Sequence, residues 1–235
     1  MGRIFEKRKH KMFARFDRMA KAFTRIGKDI AIAVKNGGPS PENNPKLRLA
    51  IQNAKGVNMP KDKVEAAIKR ASSKEEKDFQ EVTYEGYAPH GVPLMVECAT
   101  DNPTRTVANV RLHFSKNNGS MGNSGSVAFL FERKGVFKFE PAKLNLDDLE
   151  LDLIDAGAED IERNDEEIVI YTKFTEFGHM LKFLESKNLE PKSSELQYIP
   201  NTTKELSEEQ QDEVLKLVEV LEGDDDVQAV YHNLA

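Results

Sequence analysis

The closing stretch of the chain decides the fold: SEEQQDEVLKLVEVLEG (Ser207–Gly223), a short acidic turn, then VQAVYHNL (Val227–Leu234). The first segment opens on Ser207 and carries apolar residues at helical spacing. The second reads as a strand. The residues just before them already complete a unit. GVFKFE, LDDLELDLIDAG, EDIERND, EEIVIYTK, FTEFGHMLKFLESK and SSELQYIP run strand, helix, strand, strand, helix, strand between Gly135 and Pro200. That order is the ferredoxin-like split unit, and it has no place for another helix and strand.

The segment before that unit does have room. VTYEGYAP and GVPLMVECAT read as strands parted by a turn at Pro89–Gly91, and SVAFLFE reads as a buried strand. TRTVANVRLHFSK has helical spacing at Val107, Val110 and Phe114. This segment lacks a second helix, which the chain's end supplies. The expected fold class is therefore α+β multidomain, with a helical N-terminal domain and two α+β (ferredoxin-like) domains, the last nested in the middle one. The expected boundaries are 1–77, then 78–133 joined with 204–235, then the insert 134–203.

The first third reads as helices. Met12, Phe16, Met19, Phe23, Ile26, Ile30 and Ala33 recur at fours and threes, one apolar seam on a long helix. NGGPSP stops it, with Gly37 or Gly38 free to take a left-handed conformation. Asn44 followed by Pro45 is a cap and first-turn proline for a second helix bearing Leu47, Ala50, Ile51 and Ala54. Pro60 opens a third, PKDKVEAAIKRA, and SSKEEKD follows as a linker.

Charge is divided sharply between the parts. Residues 1–77 hold 20 Lys and Arg against 8 Asp and Glu, whereas the remainder holds 14 against 32. A polyanion would meet the N-terminal third first. Arg3, Lys7, Arg8, Lys9 and Lys11 form a basic arm, and Arg15 and Arg18 flank the seam. Lys46, Arg48, Lys61, Lys63, Lys69 and Arg70 add two helical patches. Phosphate contacts require cations on a shaped surface and little else. Phe5, Phe13 and Phe16 lie among these cations, where aromatic rings can stack on unpaired bases, although the seam assigns Phe16 to the core.

Catalytic and metal-binding chemistry finds no support. The glycine loop NNGSMGNSGSV (Asn117–Val127) follows a helix and precedes a strand, the reverse of a phosphate-binding loop, and no lysine follows it. Gly119, Ser120, Met121, Gly122, Asn123, Ser124, Gly125 and Ser126 read instead as a glycine-rich turn or as a contact loop. The five histidines are scattered, so neither a metal nor a cofactor is expected. Cys98, alone in an apolar strand, reads as a buried structural thiol. Asp224, Asp225 and Asp226 read as a solvated cap between the last helix and strand. No apolar run is long enough for a membrane span, and the basic N-terminus lacks the apolar core of a secretory signal. A cytoplasmic protein is expected.

NGGPSPENNPKLRLAIQNAKGVNMPKDKVEAAIKRA, then YEGYAPHGVPLMVECATDNPTRTVANVRLHFSKNNGSMGNSGSVAFLFERKG, then DDDVQAVYHNL resemble the YebC family, which includes the mitochondrial translational activator of cytochrome oxidase subunit I. The resemblance covers nearly the whole chain. It implies three domains, one helical and two α+β. It also implies a regulator of gene expression, labelled in the family as a DNA-binding transcriptional regulator and acting in other members in translation at the ribosome. On this resemblance Met59–Arg70 falls in the presumed binding domain, Gly119–Ser126 matches an exposed loop of the middle domain, and Arg105 sits in a TDN…RT motif. The family's GHSKW-like start is replaced here by GRIFEKRKHK. The partners expected are DNA or RNA, with the ribosome a further candidate. The alternative is an adaptor that contacts a basic protein through its acidic α+β domains. A metal-dependent nuclease using the aspartate run stands third.

Overall fold

The computed structural model describes residues 2–73 and 78–235, with side chains from Met19 onward except Asp147. The chain divides into two compact units, residues 1–78 and 79–235.

The first unit has three helices, α1 (Gly2–Gly37), α2 (Pro45–Gly56) and α3 (Lys61–Ala71). Ile26, Ile30, Ala33 and Val34 of α1 bury against Leu47, Ala50 and Ala54 of α2 and Val64, Ala67 and Ala71 of α3. Asn44 sets the α1–α2 corner. Its side-chain oxygen accepts from the Leu47 amide, while its Nδ2 donates to the carbonyls of Ala33 and Gly38. Gly38 takes φ +83°, the left-handed stop that the sequence signals.

The second unit contains two four-stranded antiparallel sheets. The elements of the first are β1 (Gln80–Ala88), β2 (Val92–Thr100), α4 (Pro103–Lys116), β3 (Ser120–Met121), α7 (Glu208–Glu222) and β8 (Val227–His232). Those of the second are β4 (Phe131–Phe139), α5 (Leu146–Asp155), β5 (Ala158–Arg163), β6 (Ile168–Lys173), α6 (Phe177–Ser186) and β7 (Ser193–Pro200). The strand orders are β3-β1-β2-β8 and β5-β6-β4-β7. The second order is that of the ferredoxin-like unit. The first sheet is completed from the chain's end, because β8 pairs antiparallel with β2, Leu94 opposite His232. The fold class is thus the α+β arrangement expected. We propose two lobes within this unit, 79–133 with 204–235 and 134–203, β4 straddling their junction. Residue 78, expected in the middle domain, falls at the end of the first unit.

Leu94, Val96 and Cys98 of β2 pack with Val110 and Phe114 of α4 and Val214, Leu217 and Leu221 of α7. Phe137, Phe139, Ile168 and Ile170 pack with Leu153 of α5 and Met180 and Leu184 of α6. A smaller cluster, Met95, Val127 and Phe131 with Tyr87, Tyr198 and Tyr231, joins the two sheets. Tyr198 meets Tyr231 edge-on at 5.5 Å, and the Tyr231 hydroxyl donates to Glu97.

One stretch departs from the sequence reading. SVAFLFE is not a strand of its own: Ala128–Leu130 form a single 3-10 turn, and Phe131–Phe139 run on as one strand through Gly135. Gly135 is not a break, because Thr172 and Phe177 pack onto its backbone. A Cβ there would lie 2.7 Å from the Phe177 ring.

Candidate nucleic-acid interface

The cations predicted to bind phosphate have different fates. The side chains of Arg3, Lys7, Arg8, Lys9, Lys11, Arg15 and Arg18 lie outside the described residues, as do those of Phe5, Phe13 and Phe16. Lys46 on α2 and Lys61, Lys63, Lys69 and Arg70 on α3 are exposed. Residues 19–73 carry 11 Lys and Arg against 4 Asp and Glu, so the described part of this unit is strongly cationic. Lys61 has an i,i+4 contact with Glu65 at 3.6 Å, but both groups are so open to water that the pair constrains little. The Lys63 ammonium sits 5.1 Å from the centre of the Phe23 ring, a cation–π contact that fixes α3 against α1 and leaves the charge near the surface.

Arg48 has a different job. Its Nη1 donates to the carbonyls of Pro41 and Glu42, at 2.9 and 3.0 Å, bracing the turn before α2. It is half-buried and engaged with backbone carbonyls.

In the second unit the glycine loop is pinned. Glu85 lies in β1 and is only 6% exposed. One carboxylate oxygen accepts from the Gly125 amide at 2.6 Å, and the other accepts from Val127 and Ala128 at 2.8 and 2.9 Å. The Glu85 carbonyl accepts from the Gly122 amide, and the Tyr87 hydroxyl donates to the Ser126 carbonyl. Burial raises the Glu85 carboxyl pKa, but the converging backbone N–H groups outweigh it and hold the group below its ordinary value. The loop therefore does gather amides around an anion, and the anion is the protein's own. Only Gly125 of its three glycines has positive φ, +85°. Gly119 serves close approach instead: a Cβ would lie 2.9 Å from Leu217 and from the Tyr87 carbonyl. Asn118, Ser120, Asn123, Ser124 and Gly125 remain exposed on the loop. Phe129, just beyond it, is 70% exposed.

Glu85 and Phe129 were not singled out by the sequence. A glutamate at an inward position of an aromatic strand was the available signal for the first. For the second, reading SVAFLFE as a buried strand hid a ring that the 3-10 turn turns outward.

The aspartate run is a correction. Asp225 is exposed, but Asp226 is buried at 5% exposure and accepts from Arg105 at 2.7 Å, Thr106 at 2.8 Å and Thr100 at 3.3 Å. Asp224 pairs with His113 at 3.1 Å. Entry into β8 draws Asp226 under the start of α4, so the run fastens β8 to β2 and α4. Arg105 also reaches Asp101 at 2.9 Å, which makes it part of this fastening. Cys98 is buried as expected. Among the described residues no three His, Cys, Asp or Glu are grouped to hold a metal ion, and no helix is long and apolar enough to cross a membrane.

Comparison with known proteins matches both units. The family model described as the TACO1/YebC protein N-terminal domain covers residues 3–74, and that described as the TACO1/YebC second and third domain covers residues 79–234. A protein of Anaeromyxobacter dehalogenans named "Probable transcriptional regulatory protein" is 59% identical over the full length of both chains. One of the same name from Cytophaga hutchinsonii is 57% identical, over all of this chain and 99% of that one. The crystal structure of a conserved hypothetical protein from Aquifex aeolicus superposes with a TM-score of 0.81 at 39% identity, over 92% of this chain and 90% of that one. The chain belongs to the TACO1/YebC family.

Proposed function

We propose that this protein is a non-enzymatic, cytoplasmic regulator of gene expression that binds nucleic acid through the exposed cations of its N-terminal helical unit. One observation carries the reading. Lys46, Lys61, Lys63, Lys69 and Arg70 stand exposed on two helices, α2 braced at its start by Asn44 and Arg48, and α3 held by its buried Val64, Ala67 and Ala71. Such a surface offers phosphate a set of positioned charges with no ordering cost in the backbone. The names of its relatives, transcriptional regulatory proteins, agree in kind. None of these cations is arranged to read base edges in a way the sequence or fold specifies, so the affinity is expected to be governed by backbone charge.

Within this reading the glycine loop is a second contact. Glu85 holds it in one conformation, and Phe129 beside it offers an exposed ring to an unpaired base. A structured RNA, such as that of the ribosome, presents both phosphate and unpaired bases. The test is ultraviolet crosslinking in cells followed by sequencing of the bound nucleic acid. Enrichment of ribosomal or transfer RNA assigns the role to translation, and promoter DNA assigns it to transcription. Recovery of neither above an untagged control contradicts the proposal.

A further inference from the structure

We infer that the outer face of α5 is a docking site for a cationic amphipathic helix of a protein partner. Leu151 and Ile154, one turn apart on α5, are 78% and 51% exposed. Single exposed leucines are ordinary, but two adjoining large apolar side chains on one helix face are not explained by the fold they leave uncovered. The inward face of the same helix already supplies the core through Leu153.

The surroundings select the partner. Glu150 and Asp155 flank the apolar pair, are exposed, and have no ion-pair partner among the described residues. Asp148 is exposed one turn earlier, and the last turn of α5 contains no basic residue. The negative end of the helix dipole thus adds to the Asp155 charge instead of being offset. Beside this face, a depression of about 260 Å³ between α5 and α6 is lined by Asp152, Asp155, Ala156, His179, Phe183 and Lys187. Lys187 pairs with Asp152 at 2.8 Å, which leaves Asp155 to receive an incoming cation. Two apolar anchors at i and i+3 suit a helix packed across α5, and the flanking carboxylates require Lys or Arg beside the partner's anchors. The same carboxylates repel nucleic-acid phosphates and anionic lipid headgroups. They also repel the same face of a second copy.

The test uses the full chain and two synthetic 18-residue peptides of identical Leu and Lys composition. One gathers the leucines on a single helical face, and the other disperses them. Fluorescence anisotropy is expected to show binding of the first at least tenfold tighter than the second. Leu151→Ala with Ile154→Ala is expected to weaken the first at least tenfold and leave the second unchanged. Both residues are exposed, so the circular dichroism and thermal midpoint of this variant should match the parent. Its nucleic-acid affinity should also match, which separates this inference from the function proposed above. Equal binding of the two peptides overturns it, as does an affinity indifferent to the double substitution. A concentration-dependent dimer by sedimentation that the double substitution abolishes also overturns it, by giving the face to a second copy.

Discussion

Removing the Glu85 carboxylate should release the glycine loop at a cost that can be worked from its three amide bonds. Val127 is buried, Ala128 is half-buried and Gly125 is exposed, so only the first two amides lose a partner that water cannot readily replace. A buried donor left unpaired costs about 1–3 kcal/mol. Glu85→Ala should therefore lower stability by about 4 kcal/mol. Glu85→Gln keeps one carbonyl oxygen, which can accept from Val127 and Ala128 as the present oxygen does. Its NH₂ would then face the Gly125 amide, donor against donor, and the exposed Gly125 can turn to water. That substitution should cost about 1–2 kcal/mol. Urea denaturation at pH 7 measures both values, and hydrogen exchange should show faster exchange at Gly125, Val127 and Ala128. The pH dependence has a definite sign. The folded-state carboxyl lies below its ordinary value near 4.5, so its stabilisation is fully present above that value and is lost as pH falls below it. The difference between parent and Glu85→Ala should shrink on that acid limb. A loss under about 1 kcal/mol for Glu85→Ala, or equal losses for Ala and Gln, would refute the clamp.

Three further outcomes follow from the second unit. Asp226→Ala removes the acceptor shared by Thr100, Thr106 and Arg105. Arg105 is exposed and keeps Asp101, so the loss is that of the buried threonine hydrogen bonds, about 1–3 kcal/mol in urea denaturation. Glu97 behaves oppositely to Glu85: burial raises its pKa above the usual carboxylate range, despite the Tyr231 hydroxyl and Arg133. The fold therefore loses stability as pH rises from about 4.5 through that raised value, and Glu97→Gln should gain on the parent over the same range in thermal melts. Gly119→Ala places a methyl 2.9 Å from Leu217 and the Tyr87 carbonyl, so the thermal midpoint should fall by several degrees.

Much of this fold can be read from local residues. Asn44 with Pro45, and Ser207 with Gln210, are caps whose bonds form within a few positions, and the sequence marks them plainly. The surplus strand at the chain's end was also legible, because a completed split unit has no vacancy for it. Gly135 misled because a glycine in an apolar run signals a break equally well as a close approach, and Thr172 and Phe177 are distant in sequence. The Glu85 clamp and the Asp226 fastening join residues 40 and 120 or more positions apart, respectively. Periodicity does not report such pairs. For the candidate interface, the sequence identified the cations, but only the packing distinguishes Arg48, turned to backbone carbonyls, from Lys69 and Arg70, open to solvent.

The salt dependence of nucleic-acid binding tests the central claim most directly. Each phosphate contact contributes about −0.9 to the slope of log K against log salt on duplex DNA. Replacing Lys46, Lys61, Lys69 and Arg70 together by alanine should reduce the slope of the full chain by about 3.6 if all four touch phosphate. These side chains are exposed, so the thermal midpoint should hold. A shallower slope with weaker binding at each salt concentration is the predicted result. Unchanged affinity and slope in the fourfold variant would contradict the assignment of nucleic-acid binding to these cations.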